Sequence, residues 1–178
     1  RSEEGRRIRH CFVAKPGHVF VTADYSQVEL RIMAHYCGAG PLVDSFLAGE
    51  DIHRRTASEI FGVMQQLVTT EMRRAAKAIN FGIVYGQTAF GLAAQLGVSQ
   101  QAAGAYIKSY LERYPGVSAW VKRNLEKARR EGCVRTFLGR VRWLPELASE
   151  NTAVRQFTER AARNTPIQGG SADIIKLA

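Results

Sequence analysis

Four residues spaced four apart, Arg73, Lys77, Phe81 and Tyr85, place two cations and then two aromatic rings along the stretch RRAAKAINFGIVYG. In an α-helix, Arg73, Lys77 and Phe81 share a face and Tyr85 lies at its edge. The rise from Arg73 to Phe81 is about 12 Å, comparable to a nucleoside triphosphate laid lengthwise. Arg and Lys bind phosphate oxygens, and an aromatic face stacks on a base or sugar. The series therefore predicts a nucleotide-binding helix face.

A solvated basic face followed by ordinary core aromatics is the alternative. Against it, the apolar stripe needed for packing is already supplied by other residues of the same segment, namely Ala75, Ala76, Ile79 and Ile83. We predict a helix over 70–86, with Thr69 or Thr70 as its N-cap and Gly86 at its C-terminal end.

A lone carboxylate, Asp24, ends the β-rich run HVFVTAD, which predicts a strand over 18–24. The following stretch, SQVELRIMAHYCG, predicts a helix with Ser26 and Glu29 as a capping box and Gly38 as its stop. A carboxylate where a strand turns into a helix suits Mg²⁺, which a nearby main-chain carbonyl such as that of Tyr25 can also bind. A capping or surface aspartate is the alternative for Asp24, and as a capping-box partner Glu29 needs no other role.

The elements that must position these residues are mostly helical. Shorter helices are predicted at PLVDSFLAGE and IHRRTASEIFG, and a helix pair runs from 88 to 116 with Ser99 as a cap and Pro115-Gly116 as a break. The helix VSAWVKRNLEKARREG ends at Gly132, and CVRTFLGRVRWLP predicts a β-hairpin turning near Gly139. A final helical stretch is predicted to break at Thr165-Pro166. Helices with a few strands indicate an α+β fold rather than a parallel α/β sheet.

Composition narrows the partners and the compartment. A formal charge of +9 and a pI near 9.9 favour a polyanionic partner, with nucleic acid ahead of a membrane surface. No apolar run is long enough for a membrane span, and three cysteines without metal-ligand spacing indicate a reducing compartment, so we expect a cytoplasmic protein with no membrane partner. The start at Arg1 and the stop at Ala178 inside a helical pattern predict a piece of a larger protein.

Two stretches together resemble a known family. DYSQVELR (24–31) is similar to motif A, and RRAAKAINFGIVYG to motif B, of the family A DNA polymerases (the DNA polymerase I family). The similarity continues through DIHRRTASEIFG, YLERYPGV, LGRVRWLP and ERAARNTPIQGGSADIIK, so it covers essentially the whole chain. It implies a partial polymerase palm with an inserted helical fingers subdomain: palm at 1–38, fingers at 39–152 with motif B on the helix 70–86, and palm again at 153–178.

The resemblance also implies roles at the nucleotide site. Asp24 is expected to bind both catalytic Mg²⁺ ions, with the Tyr25 carbonyl on the second. The residues expected to contact the triphosphate are His53, Arg73 and Lys77. Phosphoryl transfer depends mainly on positioning and neutralising a polyanion, which is consistent with these types.

Lys77 is also a candidate proton donor to the leaving pyrophosphate. Phe81 is expected to pack on the sugar and base, and Gln27 to lie at the same site. Glu29 is expected to block a ribose 2′-OH, which separates RNA from DNA, and to bond to Tyr85 beside the template base.

The implied partners are primer-template DNA and a dNTP, with no obligate protein partner evident, in a bacterial-type, nucleoid-associated setting. Arg160, Asn164 and Gln168 are expected to lie near the primer and template, where such donors test base-pair geometry in the minor groove without reading sequence.

The sequence departs from the family at one point of the chemistry. The second metal-binding Asp of the family belongs to a His-Asp-Glu motif, and no such tripeptide occurs here. Asp173 lies in the ADIIK segment and is expected to be structural. The thumb is also expected to be absent. We therefore expect a DNA-directed DNA polymerase whose isolated segment is inactive or nearly so.

Two alternatives remain open at this point. A single-subunit RNA polymerase has a similar motif B, but Glu29 and Phe81 favour deoxynucleotides. The other alternative is a DNA-binding module that has lost its chemistry. A decayed site has no reason to keep all of Asp24, Arg73, Lys77 and Tyr85.

Overall fold

Helices carry most of the chain in the computed structural model, which describes residues 3–178. The α-helices in chain order are α1 (Glu3–His10), α2 (Val28–Cys37), α3 (Pro41–Leu47), α4 (Ile52–Phe61), α5 (Thr70–Val84), α6 (Ala89–Leu96), α7 (Gln100–Arg113), α8 (Pro115–Glu131) and α9 (Thr152–Leu177). Short 3₁₀ turns lie at Gln65–Leu67 and Pro145–Ala148. Strands β1 (Cys133–Arg135) and β2 (Val141–Trp143) pair antiparallel, with Cys133 opposite Trp143. The expected mostly helical α+β fold is confirmed.

Several predicted helix ends are confirmed by their capping contacts. The Thr69 hydroxyl accepts a hydrogen bond from Met72 N at 3.2 Å, and the Ser99 hydroxyl accepts one from Ala102 N at 3.1 Å. Gly38 and Gly132 follow the last residues of α2 and α8. These contacts are local, which is why the sequence is sufficient to predict them.

The predicted strand over 18–24 is wrong, because this segment is irregular and exposed. A strand needs a partner for its ladder, and β1 with β2 is the sole strand pairing within residues 3–178. Val21 is 89% exposed, so the apolar residues of this run have nothing to pack against in the described part of the chain.

The predicted capping box at Ser26 and Glu29 is also wrong. Helix α2 begins at Val28, and its N-cap Gln27 has a left-handed backbone, with φ of 54°, and makes no side-chain capping bond. Glu29 instead accepts a hydrogen bond from Tyr85, far along the chain.

The predicted break at Thr165-Pro166 does not occur, because α9 continues through it to Leu177. Proline lacks the N–H that would bond to the carbonyl four residues earlier, which here is Ala162. Asn124 on α8 fills that gap, since its Nδ2 donates to the Ala162 oxygen at 2.9 Å. The contact with Asn124 therefore satisfies the carbonyl that Pro166 leaves without a backbone donor, and the helix continues through the proline.

The main core joins α2 to the helices around it. Buried side chains from α2, α4, α5, α6, α7, α8 and α9 meet there, among them Leu30, Met33, Ile52, Ile79, Leu92, Tyr110, Trp120 and Ile167. The rings of Tyr36 and Trp120 stack with centroids 5.2 Å apart, which fixes α2 against α8. Helix α2 also packs on α9. The packing of α2, α8 and α9 therefore holds Glu29 on α2 and Arg160 on α9 in fixed relative positions.

The β-hairpin sits on the C-terminal half of α9. A methyl group at Gly170 would lie 2.6 Å from the Phe137 ring, so only glycine admits the hairpin this closely. Asp173 accepts a hydrogen bond from Thr136 Oγ1 at 2.7 Å and pairs with Arg140. These two contacts lower the pKa of Asp173 against the opposing effect of burial, and they bear out its expected structural role.

None of the helices in residues 3–178 is long and apolar enough to cross a membrane.

Candidate nucleotide and nucleic-acid site

Helix α5 presents the predicted series of cations and rings. It runs from Thr70 to Val84, two residues short of the predicted end at Gly86. The Phe81 and Tyr85 rings stack with centroids 5.9 Å apart, and Lys77 Nζ lies 5.8 Å from the centre of the Phe81 ring. These three side chains therefore share one face, as the spacing predicted.

Arg73, the first cation of the series, is held by Asp51. Its Nε donates to Asp51 Oδ2 at 2.7 Å, while Asp51 Oδ1 accepts from the backbone N–H groups of His53 and Arg54 at 3.0 and 3.2 Å. Partial burial disfavours the charged Asp51 carboxylate, yet the bonds from Arg73 and Arg54 outweigh it and lower its pKa. One carboxylate thus caps α4 and orients the guanidinium of α5, which keeps its two terminal nitrogens for an anion.

His53 lies buried between α4 and α5. Asn80 Nδ2 donates to His53 Nδ1 at 2.9 Å, which leaves the proton on Nε2, and the His53 ring is 5.7 Å from that of Phe81. Burial lowers the pKa of His53 to about 4, and the positive charges of Arg73 and Lys77 act in the same direction against Asp51. At neutral pH this histidine is therefore uncharged and offers an N–H donor rather than a cation.

Tyr85 connects α5 to α2. Its hydroxyl donates to Glu29 Oε2. Burial, and then the bond to Glu29, raise the pKa of Tyr85 to about 12, with an opposing contribution from Gln168 of α9. Tyr85 therefore stays a neutral donor, and Glu29 is fixed beside the aromatic end of the series.

A cavity of about 820 Å³ opens along this face. Its walls include Lys77 and Phe81 from α5, Tyr85 at the C-cap of that helix, Gln95 from α6 and Arg160 from α9. Cationic, aromatic and amide side chains together make a surface for a ligand with phosphate and flat-ring chemistry.

The three α9 residues expected at DNA differ in their surroundings. Arg160 is exposed and its guanidinium carbon lies 5.9 Å from the centre of the Phe157 ring. Gln168 is exposed, whereas Asn164 is half-buried and its Oδ1 has no hydrogen-bond partner in residues 3–178. Arg160 alone of the three borders the cavity.

Asp24 and Tyr25 are not brought to the cavity wall. Both are exposed on the irregular segment before α2. No hydrogen bond or ion pair with any residue of 3–178 occupies the Asp24 carboxylate, and no group of three His, Cys, Asp or Glu suited to a metal occurs in the same described range. Gln27, next along the chain, has the sole positive φ of any non-glycine residue described, and its Oε1 is buried without a partner in residues 3–178.

Sequence reasoning missed two residues that hold the predicted side chains, namely Asp51 and Asn80. Asp51 directly precedes a predicted helix, so its capping role could be predicted, but its bond to Arg73 could not. Asn80 carries no local signal, because its partner His53 lies on another helix.

The fold is mostly helical, and one helix face carries cations followed by stacked aromatic rings in a chain of net charge +9. The family model for DNA polymerase family A matches residues 1–178, and the chain belongs to that family.

Similar proteins agree with that assignment. The chain is 52% identical over its full length to DNA polymerase I of Pseudomonas aeruginosa and 48% identical to that of Bacillus subtilis, each time matching 20% of the relative. It thus spans about one fifth of the length of these relatives. A solved structure, the POL domain of Pol1 from M. smegmatis in complex with DNA primer-template and dNTP, superposes with a TM-score of 0.87 at 46% identity. The match covers 99% of this chain and 31% of that one.

Proposed function

We propose that this chain is part of a DNA-directed DNA polymerase that adds deoxynucleotides to a primer 3′ end. Residues 1–38 and 153–178 belong to its palm, and 39–152 to its fingers; Arg1 and Ser2 lie outside the described residues. The observation that carries the proposal is the α5 face, where Lys77, Phe81 and Tyr85 line up beside a cavity in a chain of family A.

In this proposal each part of a dNTP has a contact on the α5 face. Arg73, Lys77 and the Nε2–H of His53 bind the triphosphate and neutralise or share its charge, and Lys77 is the proton donor to the leaving pyrophosphate. Phe81 packs on the sugar and base. The fixed Glu29–Tyr85 pair occupies the space of a ribose 2′-OH, with Gln27 at the start of α2 beside it.

The residues at Asp24 fit one half of a magnesium site. An exposed carboxylate without a protein partner and the Tyr25 carbonyl are hard oxygen donors of the kind Mg²⁺ takes. Two Mg²⁺ ions, when bound, stabilise the attacking and leaving oxygens of an in-line displacement. Asp24, together with the Tyr25 carbonyl, would hold and orient such an ion.

The DNA lies along α9 in this proposal. Arg160, Asn164 and Gln168 donate to the minor-groove acceptors that all base pairs share. A net charge of +9 supports a polyanionic partner. The host protein works in the bacterial cytoplasm, at the nucleoid.

The decisive experiment replaces Asp24 with Ala in the full-length polymerase. We expect primer extension with Mg²⁺ to fall by about 10³-fold or more, because the variant loses a metal-binding carboxylate, while the affinity for primer-template DNA changes less than about twofold. Asp44→Ala, an exposed aspartate of α3, is the matched control and retains activity. Unchanged synthesis in Asp24→Ala would refute the proposal, and a parallel loss of DNA binding would instead support a binding module.

The isolated 178-residue chain is proposed to lack efficient synthesis. The sequence contains no His-Asp-Glu tripeptide, and no group of three His, Cys, Asp or Glu side chains suited to a metal occurs in residues 3–178. In a primer-extension assay with Mg²⁺ and all four dNTPs, we expect no product from the chain under conditions where the full-length protein extends the primer. Fast Mg²⁺-dependent extension by the chain alone contradicts this.

A further inference from the structure

The turn that ends α5 depends on one glycine. Gly86 follows Tyr85 directly and has φ of 70°, in the left-handed region that other residues adopt only with strain. The N–H groups of Gly86 and Gln87 donate to the carbonyls of Ile83 and Gly82 at 3.0 and 2.7 Å, which satisfies the last turn of the helix. The backbone at Tyr85 is therefore fixed by the geometry of this turn.

Arg163 of α9 packs against that turn. A methyl group built on Gly86 would lie 3.1 Å from Arg163 Nη1 and 3.3 Å from its Cδ, so both the stem and the guanidinium touch the turn. The contact joins α9 to the end of α5 beside the residue that bonds to Glu29.

Electrostatic interactions with neighbouring residues do not account for the position of Arg163 against the Gly86 turn. The side chain is half-buried, and its Nε is buried with no hydrogen-bond partner in residues 3–178. Burial lowers the pKa of Arg163, and the charges of Arg129 and Arg160 lower it further against the opposing charge of Glu159. An unpaired buried donor costs stability, so a compensating role in packing is needed.

We propose that Arg163 is a positioning residue for the nucleotide site, which acts by supporting the Gly86 turn and so holding Tyr85 against Glu29. The inference rests on the proposed function. It adds Arg163 as the residue that sets the position of the Glu29–Tyr85 pair, which excludes a ribose 2′-OH. Removing the guanidinium frees the turn, so Tyr85 shifts relative to Glu29 and the space for a 2′-OH opens. A displacement of about 1 Å at such a site can change rates by about 100-fold.

The test uses the full-length polymerase with the change Arg163→Leu. We expect the preference for dNTP over rNTP to fall about tenfold and KM for dNTP to rise about tenfold, with kcat at saturating dNTP changed less than about threefold. Because Leu removes a buried unpaired donor, Tm does not fall, which separates positioning from general destabilisation. The matched control is Arg130→Leu, an equal charge change at a side chain that is 73% exposed, and it keeps wild-type values.

A second variant pair tests the contact itself. Gly86→Ala introduces backbone strain at a positive φ and a tight contact of 3.1 Å with Arg163 Nη1, and Arg163→Leu removes the nitrogen that makes this contact. The loss of sugar discrimination in the double variant is therefore smaller than the product of the two single losses.

The outcomes separate the two proposals. Sugar discrimination and KM in Arg163→Leu equal to those of the wild type and of Arg130→Leu would overturn the inference alone. Strictly multiplicative losses in the double variant overturn the direct contact with Gly86 as its basis. A wild-type enzyme that extends no primer overturns the proposed function, and this inference with it.

Discussion

At the scale of single residues, two of the three groups expected to bind the triphosphate are held by a neighbouring side chain. Asp51 orients Arg73 through Nε, and Asn80 fixes the tautomer of His53 through Nδ1. Donors that are already oriented lose less conformational entropy when an anion binds. Arg73 and His53 are therefore oriented without a bound ligand. The burial of His53 that this requires disfavours its protonated form.

The burial of His53 predicts a pH dependence of stability. Its pKa in the folded chain is about 4, below the ordinary value of 6.5 that it regains on unfolding, so the unfolded chain takes up the proton first as pH falls. The contribution of His53 is fully present above pH 6.5 and is lost towards pH 4, by up to about 3 kcal/mol in the free energy of unfolding. Urea unfolding of the chain at a series of pH values measures this slope.

The control for this prediction is a pair of glutamine substitutions. His53→Gln removes the titrating group and flattens the slope between pH 6.5 and 4, while His18→Gln, at an exposed histidine, leaves it unchanged. An unaltered slope in His53→Gln would assign the pH dependence to other groups.

The residue types of the site were predictable, but their partners were not. The order of Arg73, Lys77, Phe81 and Tyr85 on one helix follows from spacing alone. The partner Asp51 lies 22 residues before Arg73, and the contact depends on how α4 packs against α5. The hydrophobic periodicity and the composition of the sequence do not specify how α4 packs against α5, so the contact between Asp51 and Arg73 can be identified only from the structure.

At the scale of elements, α9 is one helix because α8 supplies a donor to it. We expect Asn124→Ala to lower the free energy of unfolding by about 1–3 kcal/mol, since it leaves the Ala162 carbonyl without its partner. Urea unfolding followed by circular dichroism measures the loss.

The reciprocal change identifies the cause. Pro166→Ala restores the backbone N–H that bonds to Ala162, so Asn124→Ala costs less in that background than in the wild type. The same cost in both backgrounds would show that Asn124 acts through some other contact.

The two wrong element predictions have opposite physical reasons. The run at 18–24 has high β-propensity but no strand to pair with in residues 3–178, so propensity alone leaves it irregular. The proline at 166 has low helix propensity, but a side chain from another helix compensates for it. The caps at Thr69 and Ser99 were predicted correctly because their contacts span only three residues, whereas the capping box predicted at Ser26 is replaced by a long-range bond from Tyr85 to Glu29.

At the scale of the whole molecule, the core explains how distant segments form one site. Helix α2 packs on α8 and α9, and Tyr85, the C-cap of α5, bonds to Glu29 on α2. The order of segments along the chain, two of the proposed palm flanking the proposed fingers, is predictable from motifs. These segments are brought together by contacts between helices, such as the stack of Tyr36 on Trp120, and no sequence motif predicts such contacts.

The unbroken α9 has a mechanical consequence. Asp173 anchors the β-hairpin near one end, and Arg160 faces the cavity about 20 Å away along the helix. Asn124 donates to the carbonyl that Pro166 leaves unbonded, so α9 is continuous between these two residues and is held against α8. We therefore expect a displacement of the hairpin to be transmitted along α9 to the cavity wall, without a bend at Pro166.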